Sequence, residues 1–263
     1  MDVIIFSGQS NMQGQTEALT TISEVPNCYE YKFIENTIVP LKNPVGEDIT
    51  YSHEKGFPLM PDTDFDLWLT TNLTGSSCYG NTNMVPEFCK CYSEITGNDV
   101  LAVHIAKGSA DIATWDNDSS LYTLTVKKSL VAIKAAKEKS NVGKILFVWL
   151  QGESDAIYAN SRDYYKDKLR NLKNALFRDI GIEKFGIILV GRFTGDSRDD
   201  EIISAQKEIC QNDKDFIMLT EIAEEMYRNP KYMNPFVSGH YSAKGLEHLG
   251  HIAGMSLAQT VLN

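Results

Sequence analysis

Five short apolar runs recur along the chain, Val3 to Phe6, Val100 to Ile105, Ile145 to Leu150, Phe185 to Val190 and Phe216 to Leu219, with longer amphipathic stretches between them. A short run that is apolar at nearly every position, rather than at alternate ones, is a strand buried on both faces, and such strands belong to parallel sheets covered by helices. The stretches Val85 to Ile95, Leu121 to Lys139, Arg162 to Asp179, Glu201 to Gln211 and Ala243 to Leu262 carry the helical period that supplies the cover. The alternation predicts an α/β fold, a three-layer sandwich with a central parallel sheet of about five strands. With 263 residues, 43% of them apolar, the chain can bury one large core. Since no repeat, low-complexity tract or linker divides it, residues 1–263 read as a single domain.

One region departs from this rhythm. Roughly from Glu17 to Tyr79 the chain carries Pro26, Pro40, Pro44, Pro58 and Pro61 with little sustained periodicity. Loops longer than about 15 residues are uncommon unless they serve function, so this reads as a covering segment near the site, with a small hairpin around Tyr29 to Leu41. A decorative insertion is the competing reading.

The formal charge of -10 disfavours nucleic acid or an anionic membrane surface as a partner, because either calls for a basic patch. A small neutral or modestly charged molecule fits better. No secretory leader and no membrane span is expected. The five cysteines (Cys28, Cys78, Cys89, Cys91, Cys210) are odd in number and lack CxxC spacing, which points to reduced thiols and a cytoplasmic protein. Cys89 and Cys91 lie two apart in a predicted helix and face different directions, so packing is favoured over a metal role.

In an open α/β sheet, ligands bind beyond the carboxyl ends of the strands. The first strand runs into Ser7-Gly8-Gln9-Ser10-Asn11-Met12-Gln13-Gly14, the second into Ala106-Lys107-Gly108-Ser109 and the third into Gln151-Gly152-Glu153-Ser154-Asp155. The first turn is no nucleotide loop: Gly8 and Gly14 match neither GxGxxG nor GxxxxGK[ST], and no lysine follows. From this turn alone, Ser10 is as well explained by a helix cap as by a nucleophile.

The motifs GQSNMQG, GNTNMVPEF at 80–88, KGSADIATW, WLQGESDA and a late HYSAKG, in this order, resemble the sialate O-acetylesterase and acetylxylan-esterase branch of the SGNH hydrolases, carbohydrate esterase family 6-like. The resemblance spans residues 2 to about 250 and implies a flavodoxin-like layered fold and a serine esterase. It implies Ser10 as nucleophile and His240 as base. His104 sits inside a predicted strand and reads as a core histidine, His248 and His251 lie on the last helix, and His53 lies in the irregular segment.

Relatives of this fold commonly keep an aspartate three residues before the histidine, where this chain has Val237. The resemblance therefore points to Glu153 as the group that orients His240, with a Ser-His dyad or Asp155 as alternatives. Oxyanion donors are expected from the Ser10 and Gly108 amides and the Gln151 side chain. Gln9, Asn11, Lys107 and Trp115 are candidates for binding sugar hydroxyls or stacking on the sugar face. For Gln9 and Asn11 the alternative is holding the serine loop in shape; for Trp115 it is core packing.

The implied reaction removes an O-acetyl group from a sugar, an acetylated xylan fragment or sialic acid, through an acetyl-enzyme, with no metal or cofactor. Two other readings stand beside it: a lipase or thioesterase acting on another acyl group, and a non-catalytic sugar-binding relative.

Overall fold

Strand β1 (Asp2–Gly8) is buried along its whole length and pairs in parallel with β4 (Val100–Ala106) on one side and β5 (Ile145–Leu150) on the other. Successive side chains of a strand point to opposite faces. Accordingly Val3 and Ile5 enter one apolar core, while Ile4 and Phe6 enter a second. The computed structural model describes residues 1–46 and 81–263.

The described residues form a seven-stranded sheet in the order β3-β2-β4-β1-β5-β6-β7, completed by β2 (Cys28–Lys32), β3 (Thr37–Pro40), β6 (Lys184–Ile188) and β7 (Phe216–Thr220). All five expected strands are present and parallel. The expected hairpin is also there, and it extends the sheet: β2 pairs in parallel with β4, and β3 turns back antiparallel to form the edge. Pro40 is tolerated at the end of this edge strand because it need not donate inward. The rest of the irregular segment, residues 47–79, lies outside the described residues.

Helices close both faces. Helix α1 (Ser10–Gln13) is a single turn directly after β1. On one side pack α2 (Val85–Thr96) and the final helix α8 (Ala243–Leu262), through Val85, Phe88, Leu246, Leu249 and Leu257. On the other lie α3 (Ser120–Lys139), α5 (Arg162–Asp179) and α6 (Ser197–Asn212), which bury Leu121, Leu169 and Ile202. Short helices α4 (Glu153–Ile157) and α7 (Ala223–Met226) follow β5 and β7. Serine caps start three of the long helices: Ser119 accepts from the Tyr122 amide, Ser161 from Tyr164 and Ser242 from Gly245. Helix α6 begins earlier than the apolar period indicates, because Asp196 caps it and its first turn is polar.

The chain leaves β1 between β4 and β5, which extend from it in opposite directions across the sheet. This is a topological switch point, where the crevice of an open sheet lies. Gly8 is in register with both Ala106 and Leu150, so the three glycine-bearing strand ends meet at one place.

Candidate active site

The backbone makes its sharp exit from β1 at Gly8, whose φ of +153° is open to glycine and whose missing Cβ would strike the Leu150 carbonyl. That turn begins α1 with Ser10. A loop at 234–240 brings His240 over the same turn, and the two side chains meet with 2.9 Å between Ser10 Oγ and His240 Nε2. Both residues are buried, Ser10 at 5% exposure and His240 at 8%.

The other ring nitrogen decides the tautomer. His240 Nδ1 lies 3.0 Å from the Ser238 carbonyl oxygen, which can only accept, so Nδ1 carries the proton. Nε2 is then the acceptor for the Ser10 hydroxyl, the arrangement in which an imidazole can take a serine proton.

Glu153 makes no hydrogen bond to the imidazole. Its Oε1 accepts from Asn11 Nδ2 at 2.7 Å, and its Oε2 is buried without a partner. Asn11 in turn holds the backbone on both sides of His240: its Oδ1 accepts from the Tyr241 amide at 3.1 Å and its Nδ2 also reaches the Gly239 carbonyl at 3.4 Å. The expected direct bond from the carboxylate is replaced by a relay, Glu153 to Asn11 to the backbone of the histidine loop. At the ring itself the main-chain carbonyl of Ser238 already occupies Nδ1. Burial pushes the Glu153 carboxyl above the ordinary carboxylate range, opposed by the Asn11 bond. Asp155, the alternative acid, is committed elsewhere, accepting from the Ile112 amide, Gln151 Nε2 and Asn160 Nδ2, and burial raises it to about 6.

The polar residues of the serine turn act as staples between strand ends. Gln9 Oε1 accepts from the Ser154 amide at 3.1 Å and the Gly152 amide at 3.4 Å, tying the turn to the end of β5. Gln13 Oε1 accepts from the Gly108 amide at 3.0 Å, tying it to the end of β4. Gln9 and Asn11, at 3% and 2% exposure, thus take the loop-holding alternative rather than facing a ligand.

The three expected oxyanion donors are not equally placed. The Ser10 amide, in the first turn of α1, has no acceptor within its helix. The Gly108 amide is held by Gln13. The Gln151 side chain is fully buried, its Nε2 donating to the Ala110 carbonyl at 3.1 Å and to Asp155 at 2.5 Å while its Oε1 accepts from Tyr165. It faces the core because the cluster beneath β5 satisfies all its polar atoms. Trp115 is 1% exposed and packs edge-on against Trp149 with centroids 4.9 Å apart, so its face is not open to a sugar. Lys107 is half-buried at the end of β4, and desolvation holds its ammonium below the usual lysine range.

Of the other histidines, His104 places Nε2 3.0 Å from the Met12 carbonyl in the core, as its strand position indicates, and His248 stacks on Tyr232. His251 meets Cys91 and Glu87, and His53 lies outside the described residues.

Residues that sequence reasoning did not single out shape the histidine loop. Asn234 accepts from the Phe236 and Val237 amides through Oδ1, and its own amide donates to the His240 carbonyl. The Asn234-Pro235 pair is a turn signal of the kind that could have marked it. Gly239, with φ +73°, lies where a Cβ would enter the Phe193 ring, and that ring packs edge-on against His240. Glu17 accepts from the Ala243 amide and Thr20 and Thr21 donate to Glu247, so the start of the irregular segment is pinned to the first turns of α8.

A sequence profile of the family described as carbohydrate esterase, sialic acid-specific acetylesterase, matches residues 1–257. The chain belongs to this family. No curated protein matches it in sequence. Among solved structures, this carbohydrate esterase chain is similar to a protein from Arabidopsis thaliana, with a TM-score of 0.65 at 18% identity, covering 99% of this chain and 97% of that one. It is also similar to a carbohydrate acetylesterase from Xanthomonas citri, with a TM-score of 0.50 at 14% identity over 97% of this chain and 55% of the other. A lipase/acylhydrolase from Enterococcus faecalis gives a TM-score of 0.50 at 13% identity over 99% and 97% of the two chains. At these identities the likeness is one of fold, the layered α/β fold of the SGNH hydrolases. No helix among the described residues is long and apolar enough to cross a membrane.

Proposed function

We propose that this chain hydrolyses O-acetyl esters on a sugar, of the acetylated xylan or sialic acid kind, through an acetyl-enzyme on Ser10. The observation that carries the reading is the 2.9 Å contact between Ser10 Oγ and an imidazole whose protonated nitrogen is fixed on the far side. His240 takes the hydroxyl proton as Oγ attacks the acetyl carbonyl, and returns it to the departing sugar oxygen. Water then attacks the acetyl-enzyme, giving its proton to His240, which passes it to Ser10 Oγ as the Oγ–acyl bond breaks and acetate leaves. The Ser10 amide stabilises the oxyanion in both steps. Glu153 and Asn11 are positioning residues that hold the histidine loop. No step calls on a metal or cofactor.

The family description, which names sialic acid, supports a sugar ester over other substrates. The four described cysteines, Cys28, Cys89, Cys91 and Cys210, are unpaired, which supports a reducing, cytoplasmic setting.

Ser10→Ala should abolish acetate release from acetylated sugars and from nitrophenyl acetate while leaving the unfolding transition in place; undiminished turnover would remove Ser10 from the chemistry. A second reading, an ester of a longer acyl chain, is favoured by one feature: Phe236 and Val237, just before His240, are 82% and 45% exposed. A chain-length series of nitrophenyl esters separates the two, a sharp preference for acetyl supporting the sugar esterase.

A further inference from the structure

Away from the serine turn, three side chains with different metal-binding chemistry converge where α2 packs on α8. Glu87 and Cys91 lie four residues apart on α2 and so share one face of that helix. His251 comes from α8. Cys91 Sγ is 3.1 Å from His251 Nδ1 and 3.6 Å from Glu87 Oε1, and His251 Nδ1 is 3.1 Å from the same carboxylate oxygen.

From these contacts we infer that Glu87, Cys91 and His251 form a binding site for a divalent transition metal of the zinc type. Tetrahedral bonds of ordinary zinc length, to sulfur, nitrogen and oxygen, place the ligand atoms about 3.6 Å apart for sulfur and nitrogen, about 3.6 Å for sulfur and oxygen and about 3.4 Å for nitrogen and oxygen. The observed triangle is within about half an ångström of this on every edge, a movement that side-chain torsions supply. Thiolate, imidazole and carboxylate together suit a borderline-soft ion and not magnesium or calcium, which take oxygen ligands.

The two helices hold these ligands in place. Gly250 and Gly254 lie on α8 beside His251 and one turn from it, and a Cβ on them would run into the Met84 carbonyl just before α2 and the Phe88 carbonyl within it. The absence of side chains there lets the helices approach closely, so the histidine is carried on a rigid frame. The Glu87 carboxylate divides its work: Oε2 pairs with Lys90 at 3.6 Å, which leaves Oε1 turned to the cluster. Cys91 is nearly buried at 4% exposure, whereas the His251 side chain is 49% exposed and, with Glu87, lines an open groove through which a fourth, solvent ligand has access.

Cobalt(II) titration of the full chain, freed of metal by chelation, tests this. One equivalent should bind with the near-ultraviolet charge-transfer absorption of a cobalt thiolate. That band should vanish in Cys91→Ser, persist in Cys210→Ser, and require at least about tenfold more cobalt in His251→Gln. No thiolate band at saturating cobalt, or a band that survives Cys91→Ser, overturns the site in favour of a hydrogen-bonded cluster. Should Cys91→Ser fail to fold, His251→Gln decides alone, since its side chain is half exposed: unchanged cobalt affinity in that variant also overturns the assignment.

Discussion

Replacing Glu153 by glutamine separates two ways in which a carboxyl can support a histidine. Glutamine keeps an oxygen where Glu153 Oε1 accepts from Asn11 Nδ2 at 2.7 Å, so the clamp on Gly239 and Tyr241 survives the change. What is lost is the ability to ionise, and Glu153 makes no hydrogen bond to the imidazole, whose Nδ1 bonds the Ser238 carbonyl. Glu153→Gln should therefore retain kcat for nitrophenyl acetate to within about tenfold, about 1.4 kcal/mol of barrier. Had the carboxylate oriented the ring directly, the loss expected from its amide is about 10⁴-fold.

Stability gives a second readout with a definite sign. Burial raises the Glu153 carboxyl above its ordinary 4.5 in the folded chain, so the folded state holds that proton more tightly than the unfolded state does. The associated stability is complete below pH 4.5 and is lost as pH rises through the folded-state value. Glutamine has nothing to titrate. Urea unfolding should show the variant gaining on the wild type as pH rises above 4.5, with little difference at the acidic end. A thousandfold or greater fall in kcat, or a variant that loses stability relative to wild type as pH rises above 4.5, refutes the positioning role.

The remaining predictions concern the frame. Gly239→Ala places a Cβ against the Phe193 ring at a φ of +73°, and should cost about 1–3 kcal/mol in thermal unfolding and lower kcat by displacing His240. Asp155→Ala strands buried donors at Ile112 and Gln151, and should destabilise by about 2–6 kcal/mol in urea titration, more than Asn160→Ala, which removes only the third donor. Gly254→Val drives a side chain into the Phe88 carbonyl, which being backbone cannot move aside, and should lower the unfolding midpoint further than Gly97→Ala, which meets open space and carries only the strain of its φ of +72°, about 1–2 kcal/mol.

How far the site was legible depended on the kind of interaction. Ser10, His240 and the three strand ends were readable because strand period and motif order are local, and the sheet's switch point follows from the alternation of elements. For Gln9 and Asn11 a loop-holding role stood among the readings, but their partners, and any role for Gln13, did not. Each spends its side chain on a partner distant in sequence, Ser154, Glu153 and Gly108 respectively, and no spacing rule announces such a pairing. Gln151 and Trp115 sit at the right strand end and in the right motif, yet their side chains turn into the core, toward Asp155 and Trp149.

The sequence by itself determined the layers, the buried central strand, the glycine turn and the family to which the chain belongs, since all of these rest on patterns a few residues long. Only the tertiary structure decided what stands behind His240. A main-chain carbonyl bonds Nδ1, and a buried glutamate is joined through Asn11 to the backbone beside the histidine, because contact between residues 11, 153, 239 and 241 exists only once separate strand ends and the last loop have been folded onto one another.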